Sequence, residues 1–170
     1  MRDRDTEFLD YVAAHRGRML RTARLLTSGD AYWAEDLVQV ALTKLYVHWA
    51  KVRREDGPAR YADRILVNAF LDERRRMWRR RESSTDQMHD PDPAPAPDQA
   101  ERLTVLQALA KLPPRQHAVV VLRYFRDLDI QTTAELMGCS AGTVKSQTSR
   151  ALATMRDLLH DPLETLESLR

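Results

Sequence analysis

A short apolar segment that ends at Gly138, followed at once by a second helical pattern, constrains the fold of this chain more than any other feature. Apolar residues between Ile130 and Met137 recur at helical spacing, and glycine directly after them takes the left-handed backbone that ends a helix. Ser140 is a favourable N-cap because its hydroxyl accepts from the free amides of the next turn. The segment therefore predicts a helix, a tight turn and a second helix over about 141–159.

The second of these helices has one face made only of hydrogen-bonding side chains. Val144, Ala151 and Met155 form its inward apolar stripe. The opposite face has no carboxylate before Asp157 and consists of Thr143, Lys145, Ser146, Gln147, Ser149 and Arg150. In a helix-turn-helix the first turns of the second helix enter the major groove of DNA, where Gln and Arg read base edges and Lys and Arg hold phosphates. This face favours duplex DNA as a ligand, and the competing interpretation is the solvated face of a small helical bundle.

The first half of the sequence carries three more helical patterns. Apolar residues between Phe8 and Leu26 predict one or two amphipathic helices. From Ala34 to Trp49 eight apolar residues, Tyr46 among them, fall on one continuous helical face, and Ala62 to Phe70 repeats that spacing. Three helices around one core make a domain, and the absence of a strand pattern predicts an all-α fold.

The third of these helices runs into a basic segment at 74–81 that holds six arginines around Trp78. The formal net charge of the chain is only +2, but residues 1–82 carry 18 Lys and Arg against 13 Asp and Glu. Aromatic rings stack on unpaired bases while arginines hold the phosphates of the backbone. The segment therefore indicates contact with nucleic acid, and the competing interpretation is an ordinary solvated helix end.

Residues 83–98 have four acidic residues, no basic ones, and proline at every second position from Pro91 to Pro97. This composition predicts an extended linker. With a rise of about 3 Å per residue, it could hold the two halves of the chain roughly 40–50 Å apart. It divides the chain into two small helical domains at 1–82 and 99–170. Two helices are expected to support the helix-turn-helix in the second domain, one of them starting at Pro114.

Several classes of protein are excluded by what the sequence lacks. No apolar run approaches the roughly 18 residues of a membrane span, and the start of the chain lacks the apolar centre of a signal peptide, so we expect no membrane insertion and a cytoplasmic location. Cys139 is the single cysteine, and the five histidines do not pair at zinc-ligand spacing. No Gly-rich phosphate loop or catalytic motif is present. We expect no metal, no cofactor and no catalytic residue, with Cys139 as a packing residue or, alternatively, a redox switch.

Four short motifs, in order along the chain, give it a family resemblance. They are Ala34-Glu35-Asp36-Leu37-Val38-Gln39, then Val67-Asn68 with Asp72 and Arg74-Arg75, then Leu112-Pro113, and finally Gly142-Thr143-Val144-Lys145-Ser146. Together they resemble the extracytoplasmic-function group (group 4) of the sigma-70 family of RNA polymerase sigma factors, and its SigE-type members in particular. The resemblance covers nearly the whole chain and implies a sigma region 2 domain before the linker and a sigma region 4 domain after it.

The resemblance also implies how each surface serves promoter-specific transcription initiation. The helix at 34–49 would bind the clamp helices of core RNA polymerase through Asp36, Leu37 and Gln39, with a purely structural role as the alternative for Leu37. The polymerase flap would be a second contact. The third helix and its basic end would recognise and melt the −10 element through Asn68, Asp72, Arg74, Arg75, Arg76, Trp78, Arg79 and Arg80. The helix-turn-helix would recognise the −35 element of promoter DNA, and an anti-sigma factor is a further candidate partner.

Two departures from the family pattern concern the promoter sequence. Gln147 stands where many relatives have arginine, which predicts a preference for adenine at the contacted base. Residues 129–133 differ from the common Ser-Tyr-Glu-Glu-Ile, a difference that affects the −35 sequence but not the fold. We expect no self-inhibition, because no acidic extension or added domain is recognisable.

Two rival functions stay open on the sequence alone. A free-standing helix-turn-helix regulator would bind duplex operator DNA by itself, usually as a dimer. However, no dimer seam or effector pocket is visible, and the helix at 34–49 would have no task in such a protein. An enzyme would need a catalytic constellation, which the sequence does not contain.

Overall fold

The structure is a computed structural model that describes residues 3–53, 57–81, 97–159 and 162–168. Its helices are α1 (Arg4–Leu26), α2 (Ala31–Val52), α3 (Pro58–Arg81), α4 (Pro97–Lys111), α5 (Pro114–Val120), α6 (Ile130–Met137), α7 (Ala141–Arg156) and α8 (Pro162–Ser168). A single π-helical turn at Val121–Phe125 continues α5. No strand occurs within these ranges, which confirms the all-α prediction. None of the described helices combines the length and apolar character needed to span a membrane.

The predicted linker at 83–98 lies almost entirely outside the described residues. Only its last two positions are described, and they form the start of α4 at Pro97, where proline suits the first turn of a helix. The first helix after the linker therefore begins two residues before the predicted start of the second domain at residue 99.

The first three helices pack around an apolar core that includes Met19, Leu45 and Phe70, all fully buried. The Asp30 carboxylate caps α2 by accepting from the backbone amide of Trp33 at 2.9 Å. The opening segment forms one continuous helix, and the helix predicted from Ala34 extends by a few residues at each end. Local periodicity therefore placed all three helices correctly.

Tyr46 departs from the predicted apolar face of α2, because its side chain is 38% exposed. Its ring packs edge-on against Phe8 at a centroid distance of 5.0 Å, and its hydroxyl donates to the Asp5 carboxylate at 2.8 Å. A ring with one polar end suits the boundary of a core. Tyr46 therefore lies at the rim of the apolar face and not in its centre.

The predicted helix-turn-helix is formed by α6 and α7. Gly138 has a φ of +60°, the left-handed conformation that ends α6. The Ser140 hydroxyl accepts from the Thr143 amide at 3.1 Å and caps α7, while Asp129 caps α6 by accepting from the amide three residues on at 2.7 Å. The second helix ends at Arg156, slightly earlier than predicted.

The two halves of the structure, α1–α3 and α4–α8, pack directly against each other. Helix α3 contacts α2 as well as α5 and α6 of the other half. The Phe70 ring of α3 meets the His117 ring of α5 edge-on, with 5.3 Å between centroids. The buried side chains of both halves form one continuous core. The sequence predicts a core in each half but does not predict this contact between the halves.

Candidate nucleic-acid interface and polymerase-binding surface

The polar face of α7 is the predicted −35 surface. Lys145, Ser146, Ser149 and Arg150 are exposed, and Thr143 and Gln147 are half-buried. The Ser146 hydroxyl is held by the helix, because it donates to the Thr143 carbonyl at 3.0 Å. No hydrogen bond or ion pair joins Lys145, Gln147 or Arg150 to the described part of the chain. Their donors are therefore available to bases and phosphates.

The amino end of α7 adds to the attraction of this face for phosphate. The Ser140 hydroxyl accepts a hydrogen bond from one of the first-turn amides, that of Thr143, and no acidic side chain lies in the first turn. The remaining free amides and the helix dipole give this end a partial positive charge. Side chains and backbone therefore favour the same kind of ligand, a polyanion.

The second half of α3 is the predicted −10 surface. Asn68, Asp72, Arg75, Arg76, Trp78, Arg79 and Arg80 are exposed, and Arg74 is half-buried. Trp78 is 67% exposed, although burial would stabilise a ring of this size. Asp72 lies 4.0 Å from Arg75, and Glu73 lies 3.6 Å from Arg76. Exposed pairs of this kind contribute little to stability, so these arginines can exchange them for phosphate contacts.

The two predicted DNA-binding surfaces line one cleft of about 460 Å³, here called the basic cleft. Its lining residues are Leu71, Arg74, Arg75, Trp78 and Arg79 of α3, then Pro113, Pro114, Arg115 and Gln116, and finally Gln147 and Arg150 of α7. Five of these are arginines and none is acidic. The sequence pattern does not single out Arg115, whose only signal is its position directly after the Pro-Pro pair. The basic cleft joins surfaces that the sequence analysis treats separately.

The exposed side of α2 is the predicted contact with polymerase. Asp36 and Gln39 are exposed on one side of the helix, and Asp36 has no ion pair to a described residue. Leu37 is only 4% exposed, so its side chain packs in the core and we assign it no direct contact. Of the three residues predicted to contact polymerase, only the polar Asp36 and Gln39 are exposed.

Three exposed apolar side chains, Tyr32, Val40 and Val47, lie on the same side of α2 as Asp36 and Gln39. Their spacing keeps them within one helical face. Exposed apolar residues grouped with polar ones are typical of a surface that binds another protein. Together these five residues are called the α2 face below. The apolar periodicity of α2 marks its buried stripe, so the sequence pattern does not single out these exposed apolar residues.

Cys139 is a free thiol, half-buried in the turn between α6 and α7. Its amide donates to the Ala134 carbonyl at 3.0 Å as part of the helix end. Within the described ranges, no group of three or more His, Cys, Asp or Glu side chains is placed to share a metal ion.

Comparison with known families matches both halves of the chain. Residues 11–80 match Sigma-70 region 2, and residues 102–155 match Sigma-70, region 4. RNA polymerase sigma-E factor of Streptomyces coelicolor is 38% identical over 157 residues, which cover 90% of this chain and 86% of that protein. ECF RNA polymerase sigma factor SigL of Mycobacterium tuberculosis is 33% identical over 153 residues, and this alignment covers 86% of this chain and 85% of SigL.

Two solved structures share the fold. Sigma factor RpoE in complex with the anti-sigma factor NepR, from Bartonella quintana, aligns with a TM-score of 0.69 at 24% identity, over 91% of this chain and 97% of that chain. CnrH in complex with the cytosolic domain of CnrY aligns with a TM-score of 0.66 at 20% identity, over 92% and 89% of the two chains. Both alignments extend over the two halves of the present structure.

Proposed function

The chain belongs to the sigma-70 family, as an extracytoplasmic-function RNA polymerase sigma factor, and we propose which of its surfaces direct promoter-specific initiation. The relatives are sigma factors, which regulate transcription, and we infer that this chain is likewise no enzyme and acts in the cytoplasm beside polymerase and DNA. The α2 face would bind core polymerase, the basic end of α3 would capture the −10 element, and α7 would read the −35 element.

The observation that carries this assignment is the polar face of α7. Lys145, Gln147 and Arg150 are unpaired within the described chain, on a capped helix with no acidic residue before Asp157. Side-chain donors at the start of a recognition helix suit the major groove, where amide and guanidinium groups bind purine edges. Gln147 would select adenine, and Lys145 would hold a phosphate.

Capture of the −10 element requires a base to leave the duplex stack, which costs a few kcal/mol. The exposed Trp78 ring supplies a surface on which an unstacked base can lie, at about 1–3 kcal/mol per stacked base. The surrounding arginines, Arg75, Arg76, Arg79 and Arg80, would hold the backbone on either side. We therefore assign melting of the −10 element to this end of α3.

Binding of core polymerase would use the α2 face, where apolar side chains surround Asp36 and Gln39. The clamp helices of the polymerase are the proposed partner of this face, and the flap is the proposed partner of the second half. We propose domain limits at 1–82 and 99–170, joined by the linker at 83–98. An anti-sigma factor is a further proposed partner, because one structural neighbour, RpoE, is bound to the anti-sigma factor NepR. The other neighbour, CnrH, is bound to the cytosolic domain of CnrY.

Reconstitution with core RNA polymerase, followed by transcription from a library of promoter fragments, tests this function. We expect initiation only when the chain and the core enzyme are both present, with the transcribed fragments sharing two elements at fixed spacing. Nanomolar binding of a promoter duplex by the chain alone, with no response to core polymerase, would instead establish a free-standing regulator.

A further inference from the structure

We propose that a cavity lined by four arginines binds a small phosphate ester, that is, a phosphate group joined to an apolar or ring-shaped portion. The cavity lies between α1, α4 and the residues at the end of the π-helical turn, and it is here called the arginine cavity. The proposal does not rest on the function proposed above, because this cavity shares no lining residue with the basic cleft or the α2 face.

The arginine cavity has a size suited to a small molecule. Its volume is about 360 Å³, within the range of roughly 300–1,000 Å³ that is usual for small-molecule sites. Arginines from three parts of the chain line it, and none of the described residues in its lining is acidic. The four are Arg18 and Arg21 of α1, Arg102 of α4, and Arg126. Cations that converge on one cavity from separate elements favour an anionic ligand.

The carboxylate of Asp63 in α3 offsets only part of this positive charge. Arg126 binds it with both terminal nitrogens, at 3.1 and 3.3 Å, and the Arg18 guanidinium lies 3.3 Å from the same carboxylate. The side chains of Arg126 and Arg18 are only 13% and 32% exposed. Two partly buried cations thus share a single anion, so one positive charge lacks a partner of opposite sign.

Arg21 and Arg102 add two further positive charges. Both are exposed, and no hydrogen bond or ion pair joins either side chain to the described part of the chain. Four arginines against one aspartate leave the cluster with a net charge of +3. A phosphate monoester carries about −1.5 to −2 at pH 7 and has three acceptor oxygens, which guanidinium groups bind by paired hydrogen bonds. Its charge and geometry therefore suit this cluster better than those of a carboxylate.

Apolar side chains complete the lining and indicate the second part of the ligand. Val105 of α4 is buried, and Leu25, Leu106 and Phe125 are half-buried. A ring or alkyl group gains free energy by leaving water for such a wall, whereas inorganic phosphate has no apolar surface to bury. The Phe125 ring also offers an aromatic contact. The lining therefore favours an organic phosphate ester over free phosphate.

Titration calorimetry of the full chain, without polymerase or DNA and in a phosphate-free buffer, tests this site. Phenyl phosphate supplies both parts of the expected ligand, and inorganic phosphate supplies only one. We expect one molecule of phenyl phosphate to bind per chain, and inorganic phosphate to bind about tenfold more weakly. Equal affinities would identify free phosphate as the ligand and overturn the ester. No binding of phenyl phosphate at millimolar concentration would overturn the site itself.

Single substitutions locate the bound phosphate. Arg21→Ala and Arg102→Ala each remove an exposed, unpaired arginine, and we expect each to weaken binding of phenyl phosphate about tenfold. Arg24→Ala removes an exposed arginine of α1 outside the lining and should leave the affinity unchanged, as should Arg150→Ala in the basic cleft. Equal losses in Arg21→Ala and Arg24→Ala would assign the binding to net charge. A loss confined to Arg150→Ala would place it in the basic cleft, and either result would overturn the proposal.

Thermal unfolding supplies a second measurement, because a ligand that binds only the folded chain raises its melting temperature. The melting temperatures without ligand also show whether each variant is folded. We expect phenyl phosphate to stabilise the wild type and Arg24→Ala, but not the double variant Arg21→Glu, Arg102→Glu, in which the reversed charges repel the phosphate. An equal rise in the melting temperature of this double variant would refute the arginine cavity as the binding site.

Discussion

Gln147 is the residue of α7 that should carry base recognition. Its amide is half-buried, unpaired within the described chain and on the face without carboxylates. We expect Gln147→Ala to cost about 1–3 kcal/mol on the preferred promoter and almost nothing on a promoter changed at the contacted base pair. Binding titrations of the polymerase-bound chain on the two promoters measure this difference. Equal losses on both would identify Gln147 as a backbone contact.

Lys145 should show the opposite behaviour, because a point charge on phosphate carries no sequence information. We expect Lys145→Ala to weaken binding alike on every promoter and to lower the salt slope of binding by about one unit. Titration at several salt concentrations, on matched and mismatched duplexes, gives both quantities. A loss confined to one sequence would contradict the phosphate assignment.

Trp78 should act after the closed complex has formed, since stacking becomes favourable only once a base is unstacked. We expect Trp78→Ala to leave duplex binding by the polymerase-bound chain nearly unchanged and to reduce open-complex formation. Permanganate reactivity of the −10 thymines measures the melting. Leu9→Ala removes another well-exposed apolar side chain, away from the basic segment, and serves as the control. Unchanged permanganate reactivity would remove Trp78 from the melting surface.

The α2 helix illustrates how one element serves two surfaces. Its buried stripe holds the first half together, while Asp36 on the α2 face is exposed and unpaired within the described chain. We expect Asp36→Arg to weaken binding of core polymerase by about 2 kcal/mol and to leave the melting temperature nearly unchanged, because no folded contact is lost. A pull-down titration against core polymerase and a thermal melt measure the two effects.

Asp157→Arg gives a charge reversal of the same size at an exposed position outside the α2 face. It should leave binding of core polymerase as in the wild type. If both reversals weakened binding equally, the effect would belong to net charge and the α2 face would lose its assignment.

For the molecule as a whole, the buried interface between the halves predicts a response to acid. The pKa of His117 is lowered from 6.5 to about 4, chiefly because burial disfavours the charged imidazolium; the hydrogen bond with the Leu25 carbonyl acts in the opposite direction, and the positive charge of Arg74 adds a smaller lowering. The folded protein therefore binds fewer protons than the unfolded one between these pH values. Its stability is fully present above pH 6.5 and decreases as the pH falls towards 4, by on the order of 3 kcal/mol in total.

Urea unfolding at a series of pH values between 7.5 and 4.5 measures this dependence. Other groups titrate in the same range, so the slope should be compared between variants. We expect His117→Gln to flatten the slope and His48→Gln, at an exposed position of α2, to leave it as in the wild type. An unchanged slope in His117→Gln would show that His117 is not the responsible group.

The sequence by itself determined the helices, because their signals are local. Apolar periodicity marks α2. The end of α6 falls at Gly138 because glycine takes the left-handed backbone that a helix end requires, and α7 begins after Ser140 because its hydroxyl accepts from a free amide of the first turn. The polar face of α7 follows from the same periodicity, since neighbours on a helix surface lie three or four residues apart. These features depend on residues close in the chain and can be derived without knowing what lies across the core.

The tertiary structure alone decided how the two halves meet. Asp63 looks like any polar residue on α3 until Arg126, 63 positions later, binds it in the core. The burial of His117, and the presence of Trp78 and Gln147 in the lining of one cleft, also result from the packing of the two halves. Periodicity specifies which face of a helix is apolar but not which distant face covers it. The packing of α3 against α5 and α6 is set by surface complementarity between elements far apart in the chain, which no local pattern records.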